Sequence, residues 1–442
     1  MTTFALATMI ALLPLLVPRG PGNTSPTDLF AAAFLLLGLL ALAQRGRRLR
    51  VPAPGAIALI LVGSVVALAL STYPRIGLKT LLADTYLLLL FILIANHLSG
   101  QRAERLLRLL LIVWTVAALV WATVLLAGYL DLLPQGVEHL LKIRADSRRG
   151  AGVSRNNPNL AGGYMVTSFF VLLASPWPRS RPLRLLAAGW LLWALFATGS
   201  LGALLGLAAG CAAWALGVYL RSGRSAREMQ GLAGVALVLG TLGLAGLVVA
   251  AGIPRLGLAE VDTVSQEAKG GTLDNSVGRA GKSSAGRVGL WSEAVTRAGP
   301  RVIVGVGPGE AKHELQISNG TINPKTGALS TQSMHSDFLG FLIERGIVGF
   351  SGLLLLYAAL LRRVWRVLVV GRHRRIGVAA LGAAVVANAA HSLFHETFHF
   401  RHTIVLFGLL WVAAELAASS PEPTDAPATV AAPEELDAVA RS

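Results

Sequence analysis

The sequence contains little charge and almost no cysteine. Of its 442 residues, 14% are charged and 54% are hydrophobic, and the mean hydropathy is +0.62. The single cysteine, Cys211, excludes an intrachain disulfide and any metal site built from several cysteines. Such low charge, together with repeated uncharged apolar runs, excludes an ordinary soluble domain and predicts a polytopic membrane protein.

Several catalytic and binding motifs are also absent. The chain has no Ser-x-x-Lys or Gly-x-Ser-x-Gly, so nothing supports a serine hydrolase. The stretch Gly305-Val306-Gly307-Pro308-Gly309 lacks the Gly-Lys-Ser/Thr of a phosphate loop, and Pro308 removes an N–H donor. The formal net charge of +16 does not indicate nucleic-acid binding. Its arginines cluster between apolar runs, where membrane orientation and anionic headgroups explain them.

Apolar runs separated by basic breaks predict an all-α fold of about 12 transmembrane helices. The predicted spans are roughly 4 to 18, 28 to 43, 55 to 72, 79 to 97, 106 to 128, 158 to 175, 184 to 198, 200 to 219, 231 to 252, 347 to 361, 376 to 390 and 403 to 417. Arginine-rich loops alternate along this layout, which predicts that both termini are cytoplasmic.

The layout divides the chain into four parts. Residues 1–252 hold transmembrane helices 1–9, and residues 253–346 form one long external (periplasmic) loop that contains short helices and the catalytic segment. Residues 347–417 hold transmembrane helices 10–12. The tail 418–442, rich in Pro, Ala and acids, is predicted to be disordered and cytoplasmic.

Five cations on the predicted external side precede the sixth span: Lys142, Arg144, Arg148, Arg149 and Arg155. Such a group suits an anionic, membrane-bound substrate such as a lipid phosphate. The alternative is that they pair with nearby acids or with lipid headgroups. The following Asn157 and Pro158 predict a capped helix start, whose free N–H groups would also favour an anion beside Arg155.

Two short helices are predicted in the long loop. In the first, apolar residues recur at helical spacing: Val288, Trp291, Ala294, Val295 and Ala298. This helix is predicted to stop at residues 299–300. A second helix is predicted to begin near His335 and to stop at Gly346, which places His335 at the outer membrane surface.

His335 is the best single candidate for proton transfer, because a histidine can accept a hydroxyl proton near neutral pH. Arginines at 148, 149, 155 and 287 can neutralise a leaving phosphate without titrating. The alternative for a lone histidine on a helix is a satisfied structural residue.

A second group of histidines lies between the last two spans. His391, His395 and His399 follow one another at four-residue spacing, with Glu396 among them. Two histidines one turn apart can bind zinc. The sequence His-Glu-x-x-His is absent, so interfacial residues that assist the active site are the preferred interpretation.

The same residues resemble a known family. In this chain the residues that carry the resemblance are Arg287, Trp291, Pro300, Gly305-Val306-Gly307, His335-Ser336, Gly346 and Gly349, together with the segment 152–161. In this order they resemble the core region shared by O-antigen ligases, O-antigen polymerases and pilin-type oligosaccharide ligases. Leu201 stands where relatives often carry an arginine. The Arg-x(10)-Gly pattern of polymerases is absent at Arg287, which favours a ligase.

The resemblance implies a metal-independent, inverting glycosyltransferase of the bacterial inner membrane, with no cofactor and with its active site facing the periplasm. The donor would be undecaprenyl-diphosphate-linked O-antigen, and the acceptor a sugar hydroxyl of the lipid A-core oligosaccharide; membrane lipids are the other expected partners. His335 would act as the base. Arg287 would be the second catalytic residue, neutralising the leaving phosphate. The expected diphosphate ligands are Arg148, Arg149, Arg155 and Lys79, and the secondary site residues are Trp291, Glu396 and His399.

The sequence is compatible with three functions. A ligase comes first, and a polymerase or pilin-type ligase of the same class differs from it only in the acceptor. A flippase or transporter for an anionic lipid comes third. A transporter would be expected to show internal repeats or several ionisable residues near the middle of the membrane, whereas the predicted spans carry almost no charge beyond Asp84.

Overall fold

The computed structural model describes residues 1–15, 25–44, 46, 48–134, 136–137, 157–222, 289–322, 329–331, 333–369 and 376–419. Before the gap that begins at 223, the described residues include the helices α1 Thr2–Ala11, α2 Pro26–Gln44, α3 Pro54–Ala69, α4 Pro74–His97, α5 Ala103–Tyr129, α6 Pro158–Ala174, α7 Arg181–Thr198 and α8 Leu201–Ser222. After it come α9 (289–298), a 3-10 turn Gly299–Val302, α10 Ala311–Glu314, β1 Ser318–Ile322, β2 Leu329–Thr331, α11 Asp337–Val369, α12 Ile376–Ser392 and α13 Arg401–Ser419.

The described part is helical, as predicted, apart from the antiparallel pair β1–β2, in which Ser318 faces Thr331 and Ile322 faces Leu329. Six of the described helices are long and apolar enough to cross a membrane: α2, α4, α5, α8 (its first 20 residues), α11 and α13. They support a polytopic membrane protein. The predicted span 231–252 lies outside the described residues, and the count of twelve stays a prediction.

Local signals in the sequence account for several helix ends. The Asn157 side chain accepts hydrogen bonds from the backbone N of Asn159 and Leu160, and Pro158 occupies the first turn, so the predicted cap of α6 is confirmed. The break between α7 and α8 is also confirmed. It lies at Gly199, whose φ of 54° suits a residue without a side chain.

The apolar residues form two clusters. The larger joins the long helices, while residues such as Leu36, Leu82 and Leu185 stay exposed on the outside, as hydrocarbon contact requires. The smaller gives the loop region its own core around Leu290, Ala294 and Ala298 of α9.

One helix face was assigned wrongly from the sequence. Val295 was predicted on the apolar face of α9, but it is 47% exposed, and Leu290 is buried instead. Residues 290, 294 and 298 lie one turn apart on the same face of α9. This face packs with Met334 and Ile317 in the small core. The stripe predicted from the sequence was rotated slightly around the helix.

Glycines bring α3 and α11 unusually close together. A Cβ added at Gly63 of α3 would lie 2.3 Å from the backbone N of Gly349, and one added at Gly352 would lie 2.6 Å from the N of Ile60. Small residues at such crossings let helix backbones approach within a membrane. This contact fixes α11 against the helix that leads into α4.

The helix α11 is broken at Gly346, which has φ 65° and ψ −174°. The predicted stop at Gly346 is thus confirmed, although the helix begins at Asp337 rather than at His335. The glycine turn at 305–309 covers the break: the N of Val306 donates to the Ile343 carbonyl (2.9 Å), and the N of Gly307 donates to the Glu344 carbonyl (3.1 Å). The motif therefore caps a helix end with its backbone.

Replacing Gly346 by alanine should destabilise the fold. Its backbone conformation is open essentially only to glycine, at a cost of about 1–3 kcal/mol for other residues. An added Cβ would also lie 2.4 Å from the Ile303 carbonyl oxygen. We expect Gly346→Ala to lower the thermal unfolding midpoint in detergent.

Gly340→Ala is the matched control, because it lies in the same helix and an added Cβ meets nothing within 4 Å. Alanine there should leave the midpoint unchanged or raise it. Equal midpoints for the two variants would contradict this account of the break.

Candidate active site

A pocket of about 570 Å³ opens beside the N-terminal end of α4. Its walls come from the first turns of α4, the short helix α10, the start of α11 and the connection between α12 and α13. Its lining includes basic side chains: Arg75, Lys79, Lys312 and His313. It also includes the carboxyl groups of Asp337, Glu344 and Glu396. The pocket therefore offers a place for an anion and a place for a hydroxyl in one cavity.

Three of the residues predicted for the site, Lys79, Glu396 and His399, line this pocket. Ser333, Met334 and Ser336, on both sides of His335, line it as well. Arg75, Lys312 and His313 were not singled out from the sequence, since nothing there indicated that α10 reaches the start of α4. The other predicted cations, Arg287, Arg148, Arg149 and Arg155, lie outside the described residues.

His335 is partly buried and has an unusual backbone. Its φ is 50°, in the left-handed region that residues other than glycine rarely adopt, although histidine tolerates this region better than most residues do. Its backbone N donates to Oε1 of Glu396 (3.3 Å), and its Nδ1 lies 3.5 Å from Ser333 Oγ. The imidazole ring stands edge-on to that of His395, with 6.0 Å between ring centres.

Neighbouring contacts hold this conformation in place. The Trp291 indole Nε1 donates to the Met334 carbonyl (2.9 Å), and the backbone N of Asp337 donates to the His395 carbonyl (3.3 Å). Strained residues persist where the surroundings fix them from several sides, and they are often found at functional sites. Trp291 thus joins α9 to the residue before His335, which is a positioning role.

Asp337 fastens the start of α11 to the connection before α13. Its Oδ2 accepts hydrogen bonds from the backbone N of Thr397 (2.8 Å), from the Thr397 hydroxyl (2.9 Å) and from the backbone N of Phe398 (2.8 Å). A buried carboxylate is tolerated when several donors satisfy it. These bonds keep Glu396, the residue before Thr397, next to His335.

A buried ionic network underlies the pocket, and the sequence analysis missed its centre. Arg345 is 1% exposed; its Nη2 and Nε donate to Oδ2 of Asp84 at 2.7 and 3.1 Å, and its Nη1 donates to Glu344 at 3.2 Å. The guanidinium also lies 4.1 Å over the ring of Phe341. An acidic residue inside a transmembrane span implies a charged partner, so Asp84 was the one sign of this network in the sequence. The sequence did not indicate which arginine pairs with Asp84.

His399 completes the network. Its Nε2 lies 2.7 Å from Oδ1 of Asp84, while about a third of its side chain remains exposed. Burial alone would lower the pKa of His399, but its hydrogen bond to the Asp84 carboxylate and the charge of that carboxylate hold the pKa above the ordinary value. The imidazole therefore keeps a proton to a higher pH than an ordinary histidine does.

His391, in contrast, has a packing position. A Cβ added at Gly163 of α6 would lie 2.7 Å from His391 Cε1, and one added at Gly202 of α8 would lie 2.8 Å from Cδ2. The ring thus fills the space that two glycines leave between three helices. Within the described ranges, no three His, Cys, Asp or Glu side chains are grouped so that they could hold a metal ion.

Comparison with known protein families gives a match over part of the chain. Residues 186–354 match the protein-family model described as Wzy_C, O-antigen ligase. The match supports a membrane glycosyltransferase of the O-antigen ligase and polymerase class. It covers Arg287, Trp291, His335 and Arg345, whereas the α4 and 393–400 walls of the pocket lie outside it. No curated protein matches the chain.

Breaking the buried pair should be costly. Arg345→Met leaves Asp84 buried with only His399 as a charged partner, and loss of one member of a buried ion pair typically costs about 3–5 kcal/mol. We expect a large fall in the thermal unfolding midpoint of the purified protein.

The matched control is Arg108→Met, which removes an exposed arginine paired with Glu104 one turn away. Exposed pairs of this kind contribute about 0.3–0.5 kcal/mol. Comparable destabilisation by the two substitutions would show that the Asp84 contact is not what holds α4 to α11.

Proposed function

We propose that the protein is an O-antigen ligase. It transfers O-antigen polysaccharide from undecaprenyl diphosphate to a sugar hydroxyl of the lipid A-core oligosaccharide. The observation that carries the proposal is the pocket at the start of α4. It combines a group of basic side chains with Glu396, whose carboxylate accepts a hydrogen bond from the backbone N of His335, a residue of the matched O-antigen ligase segment. The reaction needs both: an anion site for the leaving diphosphate and a proton acceptor for the attacking hydroxyl.

The acceptor side of the reaction is assigned to His335. The imidazole takes the proton of the acceptor hydroxyl while its oxygen attacks the anomeric carbon of the donor from the face opposite the diphosphate. A new glycosidic C–O bond forms as the C–O bond to the diphosphate breaks, and the configuration at carbon inverts. Glu396 acts as a positioning residue, because its carboxylate holds the backbone N of His335 at 3.3 Å.

The donor side is assigned to the basic residues of the pocket. Lys79 and Arg75 on the first turns of α4, with Lys312 on α10, line the same cavity and can hold the diphosphate as negative charge develops on it. His399 lines the same pocket, and its raised pKa makes its protonated form more accessible than that of an ordinary histidine. Arg287, Arg148, Arg149 and Arg155 are proposed as further ligands on the strength of the sequence alone.

The proposed layout places this pocket on the periplasmic face of the bacterial inner membrane. The chain would cross the membrane twelve times, with the loop 253–346 outside and both termini in the cytoplasm. The arginine-rich alternate loops support this orientation. No nucleotide pool exists in the periplasm, and the reaction needs none, because the diphosphate-linked donor is already activated.

The direct test is reconstitution of the purified protein with lipid-linked O-antigen and lipid A-core. The proposal expects sugar to appear on the lipid A-core. Lengthening of the lipid-linked chain alone would identify a polymerase and contradict the ligase, and movement of intact lipid across the bilayer without transfer would identify a flippase.

His335→Asn gives a sharper test of mechanism, because asparagine also tolerates the left-handed backbone conformation but does not titrate near neutral pH. Loss of a general base typically costs about 100-fold or more in rate. We expect at least that loss in kcat, measured by transfer to lipid A-core, with an unchanged unfolding midpoint. A variant that retains more than about a tenth of the activity would contradict proton transfer by His335.

A further inference from the structure

A second pocket, of about 490 Å³, lies at the opposite end of α4 from the candidate active site. Its lining comes from the last turns of α2, the segment 48–50 and the C-terminal end of α4. With 24 residues, α4 is about 36 Å long, so the two pockets open towards opposite faces of the membrane. The proposed transfer reaction makes no use of this second pocket.

The pocket has a polar end and an apolar side. Arg48, Arg50, Asn96 and Ser99 line the end, and Leu42 and Leu93 are among the apolar residues along the helices. Its described lining residues include arginines and neutral polar groups but no carboxylate. This order, cations at the helix ends and apolar side chains towards the middle of the membrane, is the order of charge and hydrocarbon in an anionic phospholipid.

The polar end is built on a fixed segment. The Asn96 side chain donates from Nδ2 to the Arg50 carbonyl (2.7 Å) and accepts from the Arg50 backbone N at Oδ1 (3.0 Å). This pair of bonds holds residues 48–50 against the end of α4. The Arg50 side chain is 81% exposed, and its ion pair with Glu415 is loose, with 3.8 Å between Nη1 and Oε1. Its charge therefore remains available to a ligand.

We infer that this pocket binds the headgroup of an anionic phospholipid from the leaflet opposite the candidate active site. The lipid phosphate lies against Arg48 and Arg50, and its first acyl carbons follow Ala41, Leu42 and Leu93. Basic pockets between helices at a membrane surface favour anionic headgroups, and each basic residue near the surface adds to the attraction. The inference does not depend on the reaction proposed for the other face.

Native mass spectrometry of the purified full chain tests this site by titration with phosphatidylglycerol or phosphatidylcholine. We expect the chain to bind one phosphatidylglycerol in preference to phosphatidylcholine. Arg48→Gln/Arg50→Gln should weaken that binding by about tenfold or more. Ala41→Phe, which fills the apolar side without changing the charge, should weaken it as well. Unfolding midpoints confirm that each variant is folded.

The matched control is Arg179→Gln/Arg181→Gln, which removes two exposed arginines at the start of α7, on the same face of the membrane. Binding should stay within about twofold of the unaltered chain, which would separate a built pocket from general surface charge. Equal losses in both double variants, or unchanged binding in Ala41→Phe, would overturn the pocket. Displacement of the lipid by glycerol phosphate at equal concentration would overturn the assignment to a lipid.

Discussion

The buried contact between Arg345 and Asp84 is the interaction on which the candidate site depends. It joins α4 to α11, and through His399 it joins both helices to the connection between α12 and α13. These three elements form most of the pocket walls. Two charges buried away from water are tolerated only when each is well paired, and the two nitrogens of Arg345 on one carboxylate oxygen meet that need. The network thus determines where Lys79, Glu396 and His399 stand relative to one another.

A second constraint is the backbone at Gly346 and in the glycine turn. The break ends the first half of α11, and the turn covers the freed carbonyls of Ile343 and Glu344. The turn also reaches α4, because Glu310 accepts a hydrogen bond from the backbone N of Tyr73 (3.0 Å). The glycines therefore connect the same two helices that Arg345 connects. Because both links end next to the pocket, the loop and the membrane helices are held as one site.

The sequence predicted what depends on local pattern. The lengths of the apolar runs predicted most of the described helices. The glycine at 346 predicted the stop there, and Asn157 with Pro158 predicted the start of α6. His335, Glu396 and His399 were singled out as well, and the structure brings Glu396 against the His335 backbone. These features follow from neighbours in the chain or from spacing, and such signals are visible in one sequence.

What the sequence could not predict depends on distant partners. Arg345 lies 261 residues from Asp84, and no local pattern links the two. The basic group of the pocket likewise combines Arg75 and Lys79 with Lys312 from another part of the chain. The left-handed backbone of His335 lies between two such contacts: Trp291 donates to the carbonyl of the preceding Met334, and Glu396 accepts from the backbone N of His335. Tertiary packing decides each of these, and no single segment specifies it.

The most direct measurement of the central claim is a structure of the protein with the lipid-diphosphate donor bound. The account predicts the diphosphate among Arg75, Lys79 and Lys312, with the anomeric carbon turned towards His335. A diphosphate held elsewhere, with this pocket left to solvent, would contradict it.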